Sequence, residues 1–201
     1  MRVEIRNDSV LIDGYVNAVG RDSKPIPYLN GKFIEQIEPR AFDKALNKTD
    51  NVDLLLNHDE SRKLGCTKDG NLELFEDNIG LRAICTITDK DVIEKARKGE
   101  LRGWSFGFVV DKDRWEDTNK GYQRRYVEDL ELFEVSILDN RKNPAYAGTS
   151  IEMREDKEVV SERRSCDMEA VIINEYQIEH NNSHLKYEYI IRGLKKKNIT
   201  I

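Results

Sequence analysis

The sequence predicts a mainly β protein of the α+β class, with short helices around strands that close or nearly close into a barrel. Three observations predict it. Apolar and polar residues alternate over strand-length runs, turn-forming residues punctuate those runs at short intervals, and only two segments carry helix start and stop signals.

The elements follow in order. Asn7-Asp8-Ser9 separates Val3 and Ile5 from Val10-Leu11-Ile12 and Gly14-Tyr15-Val16, so the chain opens on a hairpin. A loop bearing Pro and Gly occupies residues 20–31. Pro39 then opens a short helix with Phe42, Ala45 and Leu46 on one side, because a first turn tolerates the missing N–H of proline. Residues 52–57 read as a strand. Lys68-Asp69-Gly70-Asn71 reads as a hairpin turn, since Asp-Gly accepts positive φ where strands reverse. Leu81, Ala83, Cys85 and Ile87 alternate in the next strand. A second helix spans 89–98, with Thr88 and Asp91 as its capping box, Val92, Ile93 and Ala96 on its buried side, and Gly99 as its stop. Strands at 101–110, 122–127 and 130–138 follow.

Charge divides the chain near residue 153. The whole carries 33 basic and 38 acidic residues, a net charge of −5. Residues 154–201 hold 9 of each sign, so residues 1–153 hold 33 − 9 = 24 basic and 38 − 9 = 29 acidic ones. Residues 154–164 are almost continuously charged and read as a solvated linker. Beyond them lie two apolar islands, 170–173 and 187–191, a tail and not a second core.

This composition disfavours partners held by general electrostatics. A net negative chain is a poor match for nucleic acid or an anionic membrane surface. No apolar run reaches the ~20 residues that span a bilayer, and the first ten residues are too polar for a signal-peptide core, which predicts a soluble intracellular protein. Cys66, Cys85 and Cys166 lack any Cys-x-x-Cys spacing, so they read as small buried hydrophobes.

Three strands carry a polar residue where alternation predicts an inward one. The period of two puts His58 on the face of Val52, Leu54 and Leu56. Ser105 lies between Gly103 and Gly107, opposite the face of Trp104, Phe106 and Phe108. Glu134 falls on the face of Leu130, Leu132 and Leu138, where an acid must find a hydrogen-bonding partner. Singly, each is more often a structural residue. Together they supply base, nucleophile and orienting carboxylate, the set that serine acyl transfer requires.

Gly103-Trp104-Ser105-Phe106-Gly107 matches the G-x-S-x-G of α/β-hydrolases, but context opposes that reading. The elbow needs a strand-to-helix turn with acid and histidine following, and here the chain continues as strand. His180 and His184 are four apart without the Glu of H-E-x-x-H, so no metal is expected. No glycine-rich phosphate loop appears, and no cofactor is expected.

Over roughly residues 10–153 the sequence resembles the prohead (procapsid) maturation proteases of tailed bacteriophages. The resemblance rests on ordered blocks: Gly14-Tyr15-Val16, Ile37-Glu38-Pro39-Arg40-Ala41-Phe42, Leu55-Leu56-Asn57-His58-Asp59 and Asn78-Ile79-Gly80-Leu81. They continue with Gly99-Glu100-Leu101-Arg102-Gly103-Trp104-Ser105-Phe106-Gly107-Phe108, Leu132-Phe133-Glu134-Val135-Ser136-Ile137 and Asn143-Pro144-Ala145-Tyr146. It implies a serine endopeptidase with a fold like that of herpesvirus assemblin, with residues 1–153 as the protease domain and 154–201 as a charged linker and tail. By motif position His58 is its histidine and Ser105 its nucleophile. Glu134 is the first choice for the third member, ahead of Asp139 and Glu131. The implied partners are the major capsid protein, a scaffolding protein or segment, and the chain itself through self-processing, inside the procapsid or in the host cytoplasm during assembly. Two other readings stay open, a catalytically silent assembly protein and an unrelated small β-barrel binding module.

Overall fold

In the computed structural model, which describes residues 1–28, 31–141, 152–153, 160–167 and 171–174, the opening hairpin is β1 (Arg2–Ile5) and β2 (Val10–Ala18). Val3 lies opposite Ile12, and Arg6 N donates to Ser9 O at 2.9 Å across the turn. The stretch expected as a Pro- and Gly-bearing loop contains β3 (Ile26–Tyr28), which pairs antiparallel with β4 (Gly31–Ile37). Pro27 is tolerated because β3 is an edge strand. In α1 (Ala41–Lys48), Arg40 takes a left-handed φ of 72° and offers no side-chain cap. The carboxylate of Glu76 takes that role instead, accepting from Arg40 N at 2.5 Å and Asp43 N at 2.9 Å.

Next come β5 (Asp53–Leu56), β6 (Asp59–Cys66), β7 (Leu72–Glu76) and β8 (Gly80–Ile87). The turn at Lys68-Asp69-Gly70-Asn71 forms, with Gly70 at φ 74°, but it does not close a hairpin. β6 pairs with β5, whereas β7 pairs with β8 in the other sheet. Asn71 explains the crossover: its Oδ1 accepts from Cys66 N and its Nδ2 donates to Leu64 O, each at 3.0 Å, so side-chain bonds fill positions that a returning strand would occupy. In β8, Leu81, Ala83, Cys85 and Ile87 are all buried, as alternation requires. Burial pushes the Cys85 thiol up, and both it and Cys66 are free and buried. The cap of α2 (Lys90–Arg97) is Asp89, one residue later than expected, its carboxylate accepting from Val92 N at 3.0 Å.

β9 (Leu101–Asp117) and β10 (Gln123–Asp139) are the long strands. The two strands expected at 122–127 and 130–138 are one, broken by register shifts from Val127 to Leu130 and again between Leu132 and Glu134. Its first half pairs parallel with β4 and its second half with β5. β11 (Glu152–Met153) pairs with β12 (Val160–Asp167), which lies antiparallel on β9; β13 (Val171–Asn174) runs parallel to β1. Part of the segment expected to be a solvated linker is therefore strand, and Glu162 in it is buried. Apolar periodicity cannot reveal a strand whose inward residues are ion-paired charges. His180, His184 and residues 187–191 lie outside the described residues.

The strands form two sheets, ordered β13-β1-β2-β8-β7 and β11-β12-β9-β10-β4-β3, with β5 and β6 branching from β10. This is the mainly β arrangement with few helices that the sequence predicts, but where a closed or nearly closed barrel is expected no closed barrel forms among the described residues. Alternation reports only that each strand buries one face, which two sheets sharing a core satisfy equally. That core joins Val10, Ile12, Leu81 and Ile87 of one sheet to Leu54, Leu56, Phe106, Phe108, Leu130 and Leu132 of the other. Phe106 stacks on Phe108 at 5.0 Å and meets Phe42 of α1 edge-on at 5.3 Å, giving the middle of β9 a rigid backing.

Candidate active site

His58 reaches the site from a turn. Leu56 of β5 pairs with Asp59 of β6, so Asn57 and His58 form a two-residue turn with φ of 58° and 62°. Positive φ at both central positions is the type I′ pattern, which matches the twist of the flanking strands. The period of two therefore does not carry through to His58, contrary to the sequence expectation. Left-handed backbone is costly for non-glycine residues, and hydrogen bonds hold it here. Asn57 N donates to Ile137 O at 2.9 Å, Asp139 N donates to Asn57 Oδ1 at 3.0 Å, and His58 N donates to Ser136 Oγ at 3.1 Å.

Glu134 owes its position to the β-bulge. Leu130 and Leu132 face the core, and so do Val135 and Ile137, so the phase of β10 changes across Phe133, which is exposed. Glu134 thus lies with Ser136 on the face away from Leu130 and Leu132, correcting the expectation from simple alternation. Its register partner is Gly107. A Cβ there would sit 2.5 Å from Glu134 Oε1 and 2.6 Å from the Phe133 ring, so only glycine leaves room for the carboxylate.

The structure brings the three expected residues into one run of contacts. Ser105, in the first third of β9 and 1% exposed, has its Oγ 2.7 Å from His58 Nε2. His58 Nδ1 lies 2.6 Å from Glu134 Oε1. A carboxylate facing Nδ1 holds the proton on that nitrogen and leaves the Nε2 lone pair toward the hydroxyl. The run continues past the expected residues: Ser136 Oγ donates to Glu134 Oε2 at 2.6 Å. Arg163 Nε, 4.0 Å from Glu134 Oε1, adds positive charge beside the acid. Ser105 Oγ also donates to the carbonyl oxygen of Arg164 in β12 at 2.6 Å, so that carbonyl and His58 Nε2 compete for its one proton. Ser136 was visible in sequence only as part of the Phe-Glu-Val-Ser block, because the bulge that turns it toward the site leaves no mark in alternation.

The other two acids lie outside this run. Glu131 is exposed. Asp139 is buried and accepts from Arg141 N at 3.0 Å and Arg141 Nε at 2.9 Å. Burial pushes the Asp139 carboxyl up, but the bonds from Arg141 and the contact with Asn57 outweigh it and hold the group below the ordinary carboxylate range. A depressed folded-state value means that ionised Asp139 stabilises the fold above the unfolded carboxyl value of about 3.9, and that this contribution is lost as pH falls through the lower folded value. Thermal melts from pH 6 to pH 2 should show wild type losing an increment of melting temperature in that acid window. Asp139→Asn should lack the increment throughout.

Ser136→Ala tests the outer end of the run. It removes the donor to Glu134 Oε2 and the acceptor for His58 N, and a bond to a charged group is worth about 10- to 100-fold. Turnover should fall by roughly that factor, with KM little changed.

Carboxylate, imidazole and hydroxyl lie in one chain of contacts, the set of groups that serine hydrolases use. The profile of the family described as caudovirus prohead serine protease matches residues 1–165, and the chain belongs to that family. Comparison with curated proteins and with solved structures gives no match. Among the described residues, no group of three or more His, Cys, Asp or Glu is placed to hold a metal, and no helix is long and apolar enough to cross a membrane.

Proposed function

We propose that this chain is the endopeptidase that cleaves the scaffolding protein, or the scaffolding segment of the capsid protein, inside the immature shell. Ser105 is the nucleophile, His58 its base and Glu134 the residue that orients the imidazole. The observation that carries these roles is the unbroken run Ser105 Oγ, His58 Nε2, His58 Nδ1, Glu134 Oε1, with neither link longer than 2.7 Å. His58 takes the Ser105 proton as the hydroxyl attacks the peptide carbonyl and returns it to the leaving amine, while Glu134 stabilises the imidazolium between the two steps. Family membership removes the unrelated binding module from consideration. The silent assembly protein differs from the protease in one measurable respect, cleavage.

The proposal includes self-processing, with 1–153 as the protease domain and part of 154–201 as the segment lost. A chain segment lying against its own nucleophile is a ready first substrate. Co-expression with capsid and scaffold proteins, read by mass spectrometry, tests both parts. Wild type should shorten the capsid or scaffold chain and shed C-terminal mass of its own, while Ser105→Ala should leave every chain whole. Whole chains in both preparations would return the protein to the silent class.

A further inference from the structure

β12 lies beside the nucleophile as a strand added to the sheet. It pairs antiparallel with β9, Ser165 opposite Ser105, and the Arg164 carbonyl oxygen accepts from Ser105 Oγ at 2.6 Å. A peptide added as a strand offers its backbone to the ladder and alternate side chains to one set of pockets. Here the alternate residues are Glu162 and Arg164, and both meet buried charges.

Arg164 is held fork to fork by Glu35 of β4, Nε to Oε1 at 2.7 Å and Nη2 to Oε2 at 2.9 Å, with its guanidinium 5.3 Å from the centre of the Phe108 ring. Glu162 presents both carboxylate oxygens to Arg125 Nη1 of β10, at 2.7 and 2.8 Å, and also touches Arg164. Asp113 takes Arg125 Nε at 2.6 Å from the outer side. Glu35 is 3% exposed, and among the described residues its charged contact outside β12 is Arg125 Nη1 at 3.3 Å. A buried acid left so thinly compensated favours a cation in the place Arg164 fills.

We infer that Glu35 and Arg125 form the specificity pocket of the protease, selecting Arg or Lys immediately before the scissile bond and an acidic residue two positions earlier. The chain's own substrate bond is then Arg164–Ser165. This rests on the protease reading above. The Ser105 hydroxyl first turns its proton from the Arg164 carbonyl oxygen to His58 Nε2, and Oγ then bonds to the Arg164 carbonyl carbon as that proton passes over. The C–N bond to Ser165 breaks, and its electron pair takes that proton, leaving a free Ser165 amine and an Arg164 ester on Ser105. Water then adds, giving one proton to His58 and its hydroxyl to the carbonyl carbon. The ester bond breaks, Ser105 Oγ recovers the proton, and Arg164 ends as a carboxylic acid that gives its proton to the freed Ser165 amine or to water.

The full chain is its own probe. Purified wild type, Arg164→Lys, Arg164→Gln, Glu35→Gln and the Glu35→Gln/Arg164→Gln double variant are followed by intact mass, beside co-expressed capsid protein. Wild type should lose residues 165–201 as one fragment, and Arg164→Lys should do so within about tenfold of that rate, because lysine keeps the charge but not the fork. Arg164→Gln, which alters β12 beyond its pairing with β11, should slow the cut by about 100-fold or more. Glu35→Gln should slow it comparably, and the double variant no further than either single. Wild-type cleavage at another bond, or equal rates for wild type and Arg164→Gln, overturns this inference while leaving a protease. A chain that cuts neither itself nor capsid protein overturns both.

Discussion

Ser105→Ala should leave the fold intact and lower turnover on the capsid or scaffold substrate by about 10⁶-fold, the scale of removing the nucleophile from a coupled triad. The variant deletes one oxygen and leaves the backbone of β9 paired on both sides, to β10 and β12. Phe106 and Phe108 stay stacked in the core, so a thermal melt should lie within a few degrees of wild type. The loss should appear in turnover, with substrate binding retained, because strand pairing and the charged pocket do not depend on the hydroxyl. Processing that survives in Ser105→Ala would remove this residue as nucleophile, whatever the geometry around it.

How far the site could be read from sequence depends on the kind of signal each residue leaves. Ser105 was legible because Gly103 and Gly107 strip one face of an otherwise aromatic strand. His58 falls in the candidate site by a route alternation does not describe: it stands in a type I′ turn and not at the next alternate position of β5. Glu134 was placed on the wrong face, because one bulge at Phe133 inverts the phase of everything after it. Strands β6 and β12 were hidden. The outward residues of β6 are charged and the inward residues of β12 are ion-paired, and hydrophobic periodicity is blind to both. Separation into two sheets was hidden as well, since Asn71, a residue with turn character, ends one sheet and starts the other through its side chain.

Glu134→Gln should lower turnover about 10⁴-fold, the size expected when the acid of a triad becomes an amide and the imidazole takes the wrong tautomer. The neighbours of Glu134 make the direction of the amide calculable. Ser136 Oγ donates to Oε2, so in the variant the amide oxygen is drawn to that side and the NH₂ faces His58 Nδ1. A donor there forces Nδ1 to accept, which moves the ring proton to Nε2 and removes the lone pair that Ser105 needs. Deleting the donor should partly undo this. In Ser136→Ala/Glu134→Gln the amide is free to turn its oxygen toward Nδ1, and the double variant should be more active than Glu134→Gln alone, by about tenfold if one neutral hydrogen bond sets the preference. Two singles that are each harmful and a double that improves on the worse one is a sign pattern that nonspecific damage to β10 does not produce. Steady-state turnover of the four chains on one substrate decides it, with Asp139→Asn measured beside them. A small loss in Glu134→Gln together with a large one in Asp139→Asn would move the orienting role to Asp139.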